Sequence, residues 1–456
     1  MVISATLRRS LRRVRVRLRR VARSFNRRLR WNRHYRVSSY LKSALWTVPL
    51  IAIAVVFVVA PLLRALDLWL GWQFNALAPA GAQGLYQTVI TLTLSFLVFT
   101  FGSLLVAIQV AGGQLTPRII ATLLLRDNVV RYSVGLFVFT LVFAVMALNR
   151  VETHVHQLVA LLTAILGIAC IADFLFLIDY AARLLRPVSV VASVGDEGIE
   201  VIRSVYPARS AEVLPEAGPL RAQIGAPART VPHDSKAGIV LAVDLPTLVM
   251  LARRHGGVIE VMPQVGDFMA TDEPLFSLYG AAAAIPDASV RATIAMGPER
   301  TLEQDPMFAF RILADIALKA LSPAINDPTT AVIAIDQIHR LLRFLGKHHL
   351  RGEVVRDDFG APRVIFRTPN WEDYVHLACS EIRACGTGNM QIARRMRALL
   401  EDVARVLPEY RLPSIESELI LLDRTIESGF AYPEDRALAR IPDVQGLGGS
   451  CAAQRI

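Results

Sequence analysis

Cysteine is scarce. The four residues Cys170, Cys379, Cys385 and Cys451 are scattered through 456 positions, with no Cys-x-x-Cys pair and no cysteine–histidine spacing. That excludes a disulfide framework and a thiolate zinc site, and it fits a reducing compartment for the C-terminal half. The chain also lacks Gly-x-Ser-x-Gly, His-Glu-x-x-His and a glycine-rich phosphate loop ending in Gly-Lys-Ser/Thr, so no nucleophile elbow, metalloprotease helix or P-loop is implied. The run Gly386 to Gln391, "GTGNMQ", lacks a third glycine and follows a helical pattern, which excludes a dinucleotide fingerprint. No cofactor is expected. Carboxylates are missing altogether from residues 8–36, which read "RRSLRRVRVRLRRVARSFNRRLRWNRHYR".

That acid-free stretch is itself patterned. Leu7, Leu11, Val14, Leu18, Val21, Phe25 and Leu29 recur in steps of four and three, one apolar stripe on a helix otherwise covered by arginine. Ahead of a membrane span, a basic amphipathic helix fits the surface of an anionic leaflet, where each cation adds about 1 kcal/mol. Nucleic acid is not expected as a partner, because no aromatic interleaving or nucleic-acid fold signature accompanies the basic run.

Hydrophobic residues make up 53% of the chain, more than an ordinary soluble protein carries. Apolar runs at 43–63, 85–110, 132–148 and 157–180 each approach the roughly 20 residues that a spanning helix needs. Four transmembrane helices follow. Arginines concentrate in the N-terminus, in the second loop (Arg118, Arg126, Arg131) and after the fourth run (Arg183, Arg186), whereas the first and third loops hold Arg64 and Arg150. The positive-inside rule then places both termini in the cytoplasm of a bacterial inner membrane. The third loop, "NRVETHVHQ", sets Glu152, His154 and His156 in alternation, too few ligands for a metal site.

Two membrane features invite function. The second run carries Thr, Ser, Gly and Gln109 and ends at Gly112 and Gly113, which suits close helix packing or a pore-lining helix with a hinge. The fourth carries Asp173, six or seven residues from its expected end at Tyr180 and so about 10 Å deep. An intramembrane carboxylate is costly unless paired, and Arg131 is one possible partner. Asp179 and Arg183 form an i,i+4 pair at the interface.

Beyond residue 187 hydropathy falls. A short helix is expected over 189–206, then a Pro/Ala/Gly-rich linker over 208–231. A strand, a helix from Leu245 to His255, and further strands around a tight turn at Gly266-Asp267 form a small β-rich module to about residue 290. Its segment 258–278 looks like half of a lipoyl-type barrel-sandwich, yet carries no lysine to bear a cofactor. A mainly helical region over 291–435 and a frayed tail over 436–456 complete the expected order. The fold class is thus membrane α-helical, followed by a cytosolic α+β region.

In that region "SPAINDP" separates two helical patterns. Pro323 disfavours a helical Ser322 and stops the first helix, Asp327 stands at the N-cap of the second, and Pro328 opens it. Local architecture leaves Ser322 and Asn326 unassigned. Asp305, Asp315, Asp327 and Asp336 lie close in sequence, and two of them brought together would suit acid–base work. The run Arg300 to Ala331, "RTLEQDPMFAFRILADIALKALSPAINDPTTA", with four preceding spans and "QLTPR" after the second, resembles a bacterial membrane-protein family catalogued as domain of unknown function 2254. The likeness covers roughly residues 43–430. It implies an inner-membrane location and this architecture, and no activity. These features favour a non-enzymatic homo-oligomer coupling a membrane domain to a regulatory domain. A membrane-tethered enzyme with a site near 300–336, or a scaffold, are the alternatives.

Overall fold

A computed structural model describes residues 45–70, 78–114, 127–151, 155–184, 186–207, 218–350 and 352–448. The basic N-terminal segment, residues 115–118 of "QLTPR" and the Glu152–His154 stretch lie outside the described residues. Residues 40–192 form one compact unit, and the chain from Ser193 onward belongs to another.

The first unit is four long helices: α1 Thr47–Leu70, α2 Pro79–Gln114, α3 Asn128–Leu148 and α4 Gln157–Leu184. Each contains a stretch long and apolar enough to cross a membrane. In lipid a chain must satisfy its own backbone, so apolar runs of this length become helices. Helices α2 and α4 outrun the apolar runs expected at 85–110 and 157–180: Pro79 fits a first helical turn, α2 carries on through Gly112 and Gly113 to Gln114, and α4 runs to Leu184. Helix α3 packs against the other three. Glycine makes one of these approaches possible: a Cβ at Gly135 would stand 2.7 Å from Val48 Cγ1. Asp127 caps α3, accepting from the backbone N–H groups of Val129 (2.8 Å) and Val130 (3.1 Å), and Tyr180 on α4 donates its hydroxyl to the same carboxylate. At the opposite end Asp67 of α1 accepts from Leu158 N at the start of α4 and lies 3.1 Å from His156 Nδ1. Outward-facing Ile51, Phe57, Leu62, Ile168 and Leu175 are exposed in the isolated chain, as lipid contact requires.

In the second unit lie helix α5, Pro187–Val205, for most of its length, and a short helix α6, Gly218–Ile224. Part of the expected linker is therefore ordered. Strands β1 Arg229–Pro232, β5 Pro274–Tyr279, β3 Val258–Val261, β8 Pro362–Phe366 and β7 Val354–Arg356 form a five-stranded sheet in that order. All pairs are antiparallel except β3 with β8, where Ile259 stands opposite Val364. A second sheet runs β4 Phe268–Met269, β2 Gly238–Val243, β6 Ile294–Gly297. The β3–β5 pair foreseen as half a barrel-sandwich thus shares its sheet with the β7–β8 hairpin of the mainly helical region, a hairpin that the run "VVRDDFGAPRVIFRTP" also predicts. Helix α7, Leu245–His255, has the expected bounds: Asp244 caps it through Thr247 N (3.1 Å), and Gly256 ends it at φ +77°. It packs on β3 and β8, closing a core of Val240, Leu248, Ile259, Phe276, Leu278 and Val364. A short helix α8, Asp287–Arg291, precedes β6.

The helical part contains α9 Pro306–Ala320, α10 Pro328–Leu345, α11 Trp371–Cys385, α12 Met390–Ala404, α13 Leu412–Gly429 and α14 Pro433–Ala439. Helix α5 comes close to the α9–α10 pair, since a Cβ at Gly198 would meet Ala309 and Leu341 at 3.0 Å. Asn370 and Asp373 form a reciprocal capping box at α11.

The end of the chain departs from expectation. Instead of fraying from residue 436, it is bound down as far as Gly448. Buried Arg394 donates to the carbonyls of Ile441 (3.0 Å) and Gly448 (2.9 Å), Gln391 donates to Gly446 O, and Asp443 caps the turn through three backbone N–H groups. Neighbouring Arg395 pairs with Asp336 (2.6 Å) and donates to His339 Nδ1 (3.2 Å), whose Nε2 therefore carries the proton given to Asp402 (2.8 Å). Burial, the largest influence, holds the His339 pKa below its ordinary value.

Candidate functional site

The membrane candidates separate into two places. On α2, residues Gly84, Thr88, Thr91, Ser95, Gly102 and Gln109 fall on one side in steps of four, three and their sums, with Val98 and Leu105 filling the same repeat. All eight are exposed in the single chain, and nothing lies within 4 Å of a Cβ built on Gly84 or Gly102. The hydroxyls are satisfied within the helix: Thr88 donates to Gly84 O (2.7 Å), Thr91 to Gln87 O (2.9 Å) and Ser95 to Thr91 O (2.8 Å). Back-bonding of this kind makes hydroxyls tolerable in hydrocarbon and leaves a shallow groove along the helix. The side-chain amide of Gln109 has no hydrogen bond among the described residues. Gly112 and Gly113 do not end the helix; both lie inside its last turn, which runs to Gln114.

Asp173 stands on α4, away from that stripe. Its Oδ1 accepts from Ser133 Oγ of α3 (3.1 Å), and its Oδ2 is buried without a partner. Arg131, named above as a possible partner, instead donates to Thr47 Oγ1 (2.8 Å). Because α4 continues to Leu184, Asp173 lies about 16 Å from the helix end rather than about 10 Å. One turn before it, Cys170 donates its thiol to Thr140 of α3 (3.3 Å). Asp179 and Arg183 pair at 2.6 Å, as the spacing predicts.

In the C-terminal unit, the four carboxylates of the 300–336 segment are not brought together. Asp305 caps α9 through Phe308 N (3.1 Å). Asp315 pairs with Arg311, which also holds Glu381 (2.8 Å). Asp327 caps α10 through Thr330 N (3.1 Å) and takes the Thr330 hydroxyl, while Asp336 holds Arg395. A 15-residue helix, about 22 Å long, separates the two caps. Ser322 and Asn326 find local work after all. The Ser322 hydroxyl donates to Lys319 O (2.7 Å), and its carbonyl accepts from Asn326 N (2.8 Å). Asn326 sits at φ +49°, in the left-handed region that Asn tolerates better than other side chains. That reversal lets Asp327 N reach Ala320 O at 2.8 Å and start the next helix.

What the structure does assemble is a pocket around Asp305. The carboxylate is 4% exposed. One oxygen is spent on the helix cap, while Oδ2 has no hydrogen bond and lies where a Cβ on Gly266 would stand, 2.8 Å away, with the Arg300 guanidinium on the same glycine. Burial pushes the carboxyl up to about 6, against the pull of Arg300. Asp305 lines a cavity of about 310 Å³ together with Tyr206, Leu245, Val265, Gln304, Phe366 and Arg367. Gln304 is fixed by accepting from Val243 N (3.2 Å), and Tyr206 meets the hydroxyl of buried Tyr374 at 3.2 Å. Of these, Asp305 and Arg300 were legible as candidates. Gln304 stands directly before Asp305 in the same run, whereas Tyr206, after α5, and Arg367, after β8, arrive from far along the chain and no spacing links them to it. A second cavity, about 470 Å³, lies at His233–Gly238 and Arg291. Its Arg291 is already engaged by Asp234 (2.6 Å) and Pro232 O (2.9 Å).

Residues 42–402 match the family described as "Predicted membrane protein (DUF2254)". The chain belongs to that family. In this chain the elements run in the order four helices long and apolar enough to span a membrane, a mixed two-sheet region, and C-terminal helices. The chain is similar to the uncharacterized proteins Rv1290c of Mycobacterium tuberculosis and Mb1321c of Mycobacterium bovis, each 24% identical over 425 residues that cover 89% of this chain and 81% of the relative. No solved structure matches it.

Proposed function

We propose that the protein is a non-enzymatic homo-oligomer of the bacterial inner membrane, both termini cytoplasmic, in which α2 faces a shared axis and the C-terminal unit acts as a regulatory domain for channel, transport or relay activity. The exposed stripe on α2 carries the reading. Lipid-facing helices need no repeat of glycine, hydroxyl and amide residues, whereas helices that meet one another, or a water-filled path, do. The repeat of four and three is that of a left-handed helix pair, and it continues to Gln109, whose amide would find a partner on a second α2. Four spans per chain are few for a transport path, which also favours assembly. Arginines in the second loop and after α4, together with the basic N-terminal segment, support the orientation and contact with an anionic leaflet.

Disulfide trapping tests it. In membranes, with the native cysteines replaced, Ser95→Cys and Gly102→Cys are expected to give cross-linked dimers, and Leu175→Cys, on the exposed side of α4, is not. Equal trapping at all three sites, or a monomeric mass in mild detergent, would remove the oligomer. Planar-bilayer recording of wild type against Asp173→Asn addresses the channel form, which flat traces under voltage, tension and pH change would remove.

A membrane-tethered enzyme has one observation in its favour, the buried Asp305 carboxyl beside a cavity. The dispersal of the segment's other carboxylates among caps and arginines keeps it second.

A further inference from the structure

Buried arginines of α12 hold the end of the chain by its backbone, and one of them is shared with a histidine. Residues 441–448 form a strap. Arg394 grips its two ends through the carbonyls of Ile441 and Gly448, Gln391 takes Gly446 O (2.7 Å), and Arg395 reaches the middle through the carbonyls of Asp443 (3.4 Å) and Val444 (3.5 Å). The strap's apolar side chains contribute little to this hold, since Val444 and Leu447 are 78% and 82% exposed.

Arg395 is committed in three directions. Its Nε pairs with Asp336 of α10 (2.6 Å), one terminal nitrogen donates to His339 Nδ1 (3.2 Å), and the other serves the strap. His339 can accept there only while its single proton is on Nε2, facing Asp402 (2.8 Å). A second proton would occupy Nδ1 and set an N–H donor and a positive charge against the guanidinium. The charges at the ring are otherwise balanced: Asp336 of α10 and Asp402 of α12 against Arg343 of α10 and Arg395 of α12, while Arg340 turns to Asp196 of α5 (2.7 Å). The strap adds Asp443, whose carboxylate is turned onto its own backbone N–H groups. His339 keeps 17% of its side chain exposed, a route for a proton from solvent.

We infer that His339 is an acid-sensitive latch, whose protonation drives Arg395 off the strap and loosens residues 441–448 from α10 and α12. Loosening uncovers Val332, on which Gly446 is packed, one turn after the Asp327-Pro328 helix start. Burial, the largest influence, and the Arg395 charge hold closed-state His339 below its ordinary 6.5, against the pull of Asp402. The closed strap therefore binds the proton less tightly than the open one. Closure is fully favoured above pH 6.5 and loses ground as the pH falls below that value, by up to about tenfold at pH 5.5 for a single proton. As a signal, the latch rests on the regulatory reading of the C-terminal unit; as a structural change it depends on neither that reading nor the pairing of α2.

Hydrogen exchange of full-length protein in nanodiscs tests the structural change directly, read by mass spectrometry on peptides spanning 441–448 and corrected for the intrinsic pH dependence of exchange. From pH 7.5 to pH 5.5 wild type is expected to lose up to about tenfold in protection of the Gly446 and Gly448 amides, which are bound within the strap. His339→Gln keeps an acceptor for Arg395 and takes up no proton, so its strap stays protected at both values. His339→Lys makes the charge permanent and leaves the strap unprotected at both. Should that variant not fold, Asp402→Asn removes the carboxylate that favours the charged ring and moves the loss of protection to lower pH. Equal losses in wild type and His339→Gln would assign the acid effect to a carboxylate such as Asp443 and overturn the latch. Wild-type protection that does not change with pH, or a His339→Lys strap protected like wild type at pH 7.5, would overturn it as well.

Discussion

Asp305→Asn isolates an energetic consequence of burial. The native carboxyl titrates near about 6 against an ordinary 3.8, so the folded state holds the proton more tightly than the unfolded chain. Its contribution to stability is fully present below pH 3.8 and is lost as the pH rises through 6. At about 1.4 kcal/mol per unit, the charged form costs the fold up to about 3 kcal/mol at pH 8. Asparagine retains an N-cap acceptor for Phe308 N and carries no charge. The variant should therefore gain on wild type by up to about 3 kcal/mol between pH 4 and pH 8, or about 6–12 °C in Tm for a unit of this size. Arginine partners pull Glu381 and Asp402 below their ordinary values and slope the opposite way, but they are common to both proteins and cancel in the difference. Urea unfolding in detergent, followed by Trp371, the buried tryptophan of the C-terminal unit, measures it. Parallel pH profiles for the two proteins would refute the reasoning, and a variant that loses ground as pH rises would reverse it.

Other expectations follow from named contacts. Asn326→Ile puts a β-branched side chain at φ +49° and should cost about 1–2 kcal/mol, while Asn326→Gly should stay within about 0.5 kcal/mol of wild type; chemical denaturation distinguishes them. Asp327→Ala removes the acceptor for Thr330 N and should cost about 1 kcal/mol. Were this loop a binding element and not a helix start, function would fall without that loss of stability. Ending the chain after Arg440 strips Arg394 and Arg395 of carbonyl partners and should lower stability on the order of 3 kcal/mol. An unchanged denaturation midpoint would show that the tail is dispensable.

Local chemistry was the legible part. Asp327-Pro328 and Asn370 with Asp373 announce their helices because a cap and its targets lie within three residues. The pairing of β3 with β8 is not announced, because Ile259 and Val364 meet only through tertiary packing on α7. Arg394 and Arg395 read as polar positions of an amphipathic helix, and nothing nearby reveals that the chain's end returns to cover them. Asp173 was legible as an intramembrane carboxylate, but its partner depended on where α4 ends and how it turns toward α3. The Asp305 pocket is half legible for the same reason: the carboxylate is in the motif, and its surroundings come from four other elements.

The placement of β8 has a consequence for synthesis on the ribosome. About a hundred residues separate Val261 from Pro362, so at about 5–20 residues per second the inner edge of β3 waits on the order of 5–20 s for its neighbour. During that interval β3 offers an open row of N–H and C=O groups beside a membrane already holding four nascent helices, and the α9–α10 hairpin emerges before the sheet can close. A chain stalled or cleaved in that window would expose the sheet edge most prone to pair with another copy.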